Sequence, residues 1–129
     1  MCKRWGCDSS EKRAFLPVKT MTSARIDLMI ERAAEVMCNV EGDMDGLPRV
    51  LAREWPQAPA LELTVALASA ADGVQSLMGC AGPSGHRAQT GWQLAAMVAA
   101  DVHFLAVTGA PHSTAADLLA YWTDERGSK

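Results

Sequence analysis

Two long apolar segments, residues 59–78 and 85–108, are separated by a short stretch rich in glycine and proline. In both segments apolar residues recur at three- and four-residue steps around most of the circumference, a pattern typical of α-helices with neighbours on several sides. Neither segment alternates in the way that a strand requires. The chain is therefore expected to fold by packing helices, and Gly73, inside the first segment, predicts a close approach of another backbone there.

The sequence between the two segments, "GCAGPSGHRAQTGWQ" over residues 79–93, has enough glycine to suggest a phosphate-binding loop. It lacks the Gly-x-x-x-x-Gly-Lys-Ser/Thr order, however, and no strand precedes it. A turn between helices explains the residues better. Gly79 or Gly82 can adopt a left-handed cap, Pro83 cannot continue a helix, and Ser84 can accept a hydrogen bond from the first amides of the next helix.

Three further helices are indicated along the chain. An amphipathic helix begins at Ser23 and stops before Gly42, and a short helix follows with Pro48 in its first turn. The last helix carries Thr114 and Asp117 in the spacing of a capping box. We therefore predict an all-α fold, a compact antiparallel (up-and-down) bundle of four main helices plus one short helix.

Charge divides the chain into two parts. Residues 1–22 show no helical period and are predicted to be an N-terminal basic extension, whereas residues 23–127 form a single helical-bundle domain. The first 20 residues carry a net charge of +3 and the rest carries −6, within a total of −3. An acidic body argues against nucleic-acid binding. The extension is interpreted as a loosely docked tail or as a basic arm that reaches a partner.

The cysteines and the apolar runs bear on localisation. Cys2, Cys7, Cys38 and Cys80 show no paired Cys-x-x-Cys spacing, and they are interpreted as buried free thiols in a reducing compartment. The N-terminus lacks the apolar core of a secretory signal. The longest uncharged apolar run, Leu94 to Ala100, is much shorter than the ~20 residues that span a bilayer. A cytoplasmic protein without membrane contact is predicted.

His86 and Arg87, in the first turn of the fourth helix, are the first candidate ligand contact. Free amides, the positive end of the helix dipole and a guanidinium together suit an anion. These residues predict a small anionic ligand. The alternative is that the turn serves structure alone.

Folding the third helix back on the fourth about residues 82–83 is expected to place Glu62 near His103 and Ser76 near Gln89. A Glu–His pair can supply a general base with its orienting group, or half of a metal site. The alternative is a polar ladder that fixes the register of the two helices.

Asp101 falls on the apolar side of the fourth helix, where an unpaired carboxylate is unfavourable. One interpretation gives it a partner such as Arg25, Arg32 or a helix amide. The other makes it a pocket-lining acid. In that case we expect a ligand pocket between helices three and four, near His103, Asp101 and Trp92.

No metal site or cofactor is predicted. The acidic loop over residues 41–52 resembles a calcium loop at its start, but its twelfth position is Ala52 instead of a bidentate glutamate. His86, His103 and His112 lack the i, i+4 spacing of a helical zinc pair.

Function follows from these patterns only in outline. The alanine-rich sequence "LAAMVAADV" in the fourth helix allows another helix to approach closely. We therefore expect a non-catalytic binding or assembly module that forms a homodimer. The alternatives are a small-ligand-binding regulatory protein with a pocket between helices three and four, and a small enzyme that uses Glu62 and His103.

Overall fold

The computed structural model describes residues 20–39 and 41–127. Within these residues the chain forms five α-helices: α1 (Thr20–Cys38), α2 (Leu47–Glu54), α3 (Ala60–Met78), α4 (Pro83–Thr108) and α5 (Ala115–Gly127). The prediction of an all-α protein with four main helices and one short helix is confirmed at this level. The first helix begins three residues before its predicted start at Ser23. Most of the predicted N-terminal extension lies outside the described residues.

The ends of α3 and α4 are set by glycine and proline. Gly79 follows α3 with a φ of 85°, and Gly109 follows α4 in the left-handed region with a φ of 81°. Both conformations favour glycine because a Cβ would crowd the backbone there. Pro83 begins α4, where its missing N–H is not needed. The predicted hydrogen bond from a first-turn amide to Ser84 is wrong, because α4 begins at Pro83, two residues before its predicted start, and Gly82 is its N-cap.

The predicted capping box of α5 is confirmed. Its backbone amide at Asp117 donates to Thr114 Oγ1, and the amide of Thr114 donates to Asp117 Oδ2. Two further backbone hydrogen bonds, Ala60 N to Ser113 O and Ala115 N to Ala58 O, tie the start of α5 to the start of α3. They form a single antiparallel bridge, and the described residues contain no β-strand.

The core is formed where α3 contacts α1 on one side and α4 on the other. Thr64 Oγ1 donates to Ala95 O near the start of α3, and Gln75 Nε2 donates to Gln89 Oε1 near its end, so these two helices run in opposite directions. Among the described residues, those that are buried are glycines, Pro48 and residues with apolar side chains. The largest fully buried side chains are Met29, Met37, Leu47, Leu51, Leu63, Leu67, Val98 and Leu118.

Close helix approach occurs at glycines of α4, and the prediction for Gly73 is wrong. No atom outside the local helix lies within 4 Å of the position that a Cβ on Gly73 would take, because this residue faces solvent. A Cβ on Gly91 would overlap the buried Met37 side chain of α1, and Ala71 of α3 would lie 3.4 Å away. A Cβ on Gly85 would overlap backbone of the preceding turn. Because Gly85 and Gly91 have no side chains, α1 and the turn before α4 can pack closely against α4.

Both cysteines of the described chain are free and exposed, so the prediction that they are buried is wrong for them. Cys38 is the last residue of α1, and Cys80 lies in the turn before α4, where the chain leaves the core. Cys2 and Cys7 lie outside the described residues.

α4 is also long and apolar enough to cross a bilayer, judged by length and composition, and only one third of its most apolar window is buried. This is weak evidence for membrane insertion, because core helices of soluble proteins meet the same criteria. The feature that matters for function is that much of an apolar helix remains uncovered.

Candidate functional site

The six residues predicted to bind ligand do not form one site. They lie at several separate places on α3 and α4. Four of them contact residues that the sequence did not suggest, and the remaining two, His86 and His103, are exposed. The six residues are Glu62, His86, Arg87, Trp92, Asp101 and His103.

Glu62 is paired with Arg25 of α1. Arg25 Nε and Nη2 donate to the two carboxylate oxygens of Glu62 at 3.0 and 2.8 Å, a bidentate arrangement across the α1–α3 contact. The hydrogen bond with Glu62 raises the pKa of Arg25, desolvation opposes this, and the charge of Glu62 adds to it. His103 has no hydrogen bond or ion pair with any described residue. The predicted Glu62–His103 pair is therefore wrong.

Arg87 caps the end of α1. Its Nε donates to Met37 O at 2.9 Å, and its Nη2 donates to Val36 O at 2.7 Å and to Gly42 O at 2.8 Å. Carbonyls at a helix C-terminus lack intrahelical donors, and a cation there also interacts favourably with the helix dipole. The guanidinium is thus directed at α1, while His86 is exposed. Anion binding by His86 and Arg87 stays a prediction. The guanidinium that was its main support is bonded to backbone carbonyls instead.

Trp92 lies on the outer side of α3 and α4. Its indole Nε1 donates to Gln75 Oε1 at 3.0 Å, which fixes the ring beside α3. The same Gln75 donates to the backbone oxygen of Gly85 and to Gln89. The predicted contact of Ser76 with Gln89 is therefore made by Gln75, the residue before Ser76 in α3.

Asp101 accepts a hydrogen bond from the indole Nε1 of Trp122 in α5 at 2.8 Å. This partner replaces the predicted Arg25, Arg32 or helix amide. No other described residue has a hydrogen bond or ion pair with Asp101, so its Oδ1 has no partner among them. One acceptor of a half-buried carboxylate is thus left for another molecule.

Asp101 also lines a cavity of about 390 Å³ between α2, α4 and α5. The predicted pocket was placed between helices three and four, and the cavity lies on the other side of α4. Trp92 and His103 do not line it, because positions nine before and two after Asp101 lie on the opposite side of a helix with 3.6 residues per turn. Of the three residues predicted for a pocket, only Asp101 is at the cavity.

Sequence reasoning missed the residues of α2 and α5 that complete this cavity. Asp45 lies in the turn just before α2, and Arg49 lies in the first turn of that helix. The Arg49 guanidinium carbon lies 5.8 Å from the centre of a Trp122 ring. Tyr121 adds a second aromatic ring to the wall, and it also stacks at a tilt on Phe104 with ring centres 6.0 Å apart.

The other notable surface is the outer face of α3 and α4, on the side away from the cavity. We define the outer face by seven residues that the helical period and the contacts of Trp92 and Thr64 place together. Its large apolar side chains are 37–54% exposed. The outer face consists of Leu61, Val65, Ala68, Trp92, Ala96, Ala99 and His103.

No three His, Cys, Asp or Glu side chains lie close enough to hold a metal ion in the part of the chain that the structure describes. Among the described residues, the cavity and the outer face are two places where a partner molecule has a surface to contact. Comparisons with protein-family models, with curated proteins and with solved structures find no match to this chain.

Proposed function

We propose that this chain is a small binding and assembly module that acts without catalysis as a homodimer, and that its outer face is the dimer interface. The observation that supports the proposal is the contiguous apolar surface of two neighbouring helices. Leu61 and Val65 of α3 are about half exposed toward one end of this face, and Trp92 of α4 is exposed at the other end. Contiguous exposed apolar surface marks an interaction site more often than single exposed residues do.

The composition of the outer face suits a second helix pair. Ala68, Ala96 and Ala99 lie between the larger side chains and leave room for a helix of a partner to approach. Trp92 combines a broad apolar ring with a polar edge, a residue type enriched at protein interfaces. Removing these side chains from water on association is the expected driving force.

The ends of the outer face favour a second copy as the partner. The exposed Asp72 lies beside the Trp92 end, and the exposed His103 lies at the Leu61 end. A two-fold axis that lies in the interface, oblique to both helices, places Asp72 of one copy near His103 of its partner. Such an interface is isologous, because the same patch meets itself, and this is the commonest symmetry of soluble oligomers. The two polar contacts then flank an apolar centre.

We also propose the up-and-down bundle as the arrangement of the main helices. The opposite directions of α3 and α4 and the short connections between successive helices support it. A cytoplasmic location is part of the proposal as well. A reducing compartment suits the free, exposed thiols of Cys38 and Cys80.

Analytical ultracentrifugation of the full chain, over a range of concentrations, tests the dimer. Leu61 and Leu28 form a matched pair of positions, because both are leucines and they are 54% and 53% exposed. Leu61 lies on the outer face, and Leu28 lies outside it. Leu61→Asp is expected to shift the equilibrium to monomer, since it places two like charges on the interface. An aspartate in the first turn of α3 is also compatible with the helix dipole. Leu28→Asp is expected to leave the dimer intact.

Two outcomes contradict the proposal. A wild-type chain that is monomeric at all concentrations removes the homodimer, and equal effects of Leu61→Asp and Leu28→Asp remove the outer face as its interface. Flotation with phosphatidylcholine vesicles distinguishes the competing explanation for an uncovered α4. A chain that floats with vesicles as a monomer uses this surface for lipid, and the assembly role is then wrong.

A further inference from the structure

We propose that the cavity between α2, α4 and α5 binds a small organic amine with an apolar body, whose ammonium group contacts the carboxylate of Asp101. This inference does not depend on the dimer, because the cavity lies on the opposite side of α4 from the outer face. It rests on four observations: an acceptor oxygen without a partner, the balance of charge, the aromatic wall and the size of the space.

The first observation is the state of Asp101. Its Oδ2 accepts the hydrogen bond from Trp122, which holds the carboxylate in place, and its Oδ1 has no partner in the part of the chain that the structure describes. A carboxylate held by one hydrogen bond with a second oxygen open is preorganised for a donor. An ammonium group supplies both donors and the opposite charge, so its hydrogen bond is stronger than that of a neutral donor.

The charge of the cavity also favours a cation. Of the described residues, Asp45 and Asp101 line it together with Arg49, so two carboxylates oppose one guanidinium. Asp45 has no hydrogen bond or ion pair with any residue at positions 20–39 or 41–127. A positively charged ligand reduces the net negative charge of this cavity, whereas an anion increases it.

The aromatic wall already contacts a cation. The guanidinium of Arg49 lies over a ring of Trp122, a geometry in which the negative face of the indole attracts positive charge. Tyr121 provides a second ring beside it. Leu94 and Met97 of α4 supply the apolar surface that a hydrocarbon body would cover. The lining thus offers separate contacts to the two parts of an amphiphilic amine.

The size of the cavity limits the ligand. A volume of about 390 Å³ lies near the lower end of the range of about 300–1,000 Å³ that is usual for small-molecule sites. A single aromatic ring with a short aminoalkyl chain fits this range. Phenethylamine is therefore a suitable probe, and 2-phenylethanol is its neutral counterpart with the same body.

The test is a titration of the full-length, ¹⁵N-labelled protein near pH 7, observed at the indole N–H signal of Trp122 in NMR spectra. Phenethylamine is expected to shift this signal with a dissociation constant of about 1 mM or below. 2-Phenylethanol and phenylpropionate are expected to bind at least about tenfold more weakly, because they lack the ammonium group. This comparison uses the wild-type chain alone and so does not depend on how any variant folds.

Asp101→Asn then tests the residue. The amide oxygen of asparagine can still accept from the Trp122 indole, so the fold is expected to persist, while the negative charge is lost. Affinity for phenethylamine is expected to fall about tenfold. Asp27→Asn changes an exposed acid of α1 away from the cavity; it is the matched control and is expected to bind as the wild type does.

Three results overturn the proposal. One is the absence of any shift at Trp122 up to on the order of 10 mM phenethylamine. Another is equal binding of 2-phenylethanol, which would leave an apolar pocket without amine recognition. The third is an unchanged affinity in folded Asp101→Asn.

Discussion

Trp122 and Asp101 are joined by a 2.8 Å hydrogen bond that links α5 to α4. The indole is nearly buried, with 6% of the residue exposed, so water cannot easily replace the carboxylate as acceptor. A buried donor that loses its partner retains the full cost of desolvation. Asp101 therefore stabilises the fold in addition to any role in binding.

Asp101→Ala is expected to lower the free energy of unfolding by about 1–3 kcal/mol, because it leaves the Trp122 N–H unsatisfied. Asp101→Asn retains an acceptor oxygen, and we expect it to lower the free energy by less than about 1 kcal/mol. Urea denaturation followed by circular dichroism measures both. Equal losses in the two variants would show that the hydrogen bond does not stabilise the protein.

The contact between Asp101 and Trp122 illustrates what the sequence predicts and what it does not. The apolar period of residues 85–108 was enough to predict α4 and to identify Asp101 as a residue in need of a partner. The partner lies 21 positions along the chain, on another helix. Helical period determines which side of one helix is apolar, whereas the identity of the facing residue depends on how several helices pack together.

Register explains the failed prediction for Glu62 in the same way. Folding α3 onto α4 about residues 82–83 paired position 62 with position 103, but the hydrogen bond from Thr64 to Ala95 places the start of α3 several residues earlier on α4. Since one helical turn is 3.6 residues, such an offset changes the cross-helix partners at this end of α3, where Glu62 faces Arg25 of α1 instead. Packing of Met37 and Ala71 at Gly91 is a contact among three helices, and it was not evident from the period of any single segment.

Arg87→Ala is expected to destabilise the chain by about 2–4 kcal/mol. The substitution removes three charge-assisted hydrogen bonds to the carbonyls of Met37, Val36 and Gly42, and no other described side chain is bonded to these oxygens. Thermal or urea denaturation measures the loss. Amide hydrogen exchange in the last turn of α1 is expected to become faster, because the fraying of that turn is no longer opposed.

Two controls accompany the Arg87 variant. His86→Ala changes the exposed neighbour, and it is expected to alter the free energy of unfolding by less than about 0.5 kcal/mol. Arg87→Lys retains the charge near the helix terminus but not the planar fork, so an intermediate loss is expected. If Arg87→Ala is as stable as His86→Ala, the capping role is wrong.

Gly85 and Gly73 predict opposite effects of the same substitution. A Cβ on Gly85 would lie 2.6 Å from the carbonyl carbon of Cys80, and a backbone atom in a tight turn cannot move away easily. Gly85→Ala is therefore expected to lower the free energy of unfolding by about 1–3 kcal/mol. A Cβ on Gly73 would meet nothing within 4 Å. Gly73→Ala is expected to raise the free energy by about 0.5–1 kcal/mol, because alanine restricts the unfolded chain and favours the helix.

Chemical denaturation of the two glycine variants, beside the wild type, measures the difference in sign. Each variant adds one methyl group to a helix, so the intrinsic gain in helix propensity is common to both, and the contrast reports the space around each position. A gain at Gly85 would mean that the turn before α4 is looser than the structure shows. A loss at Gly73 would mean that this exposed side of α3 is covered by another part of the chain or by a partner, and the outer face would then need to be redrawn around it.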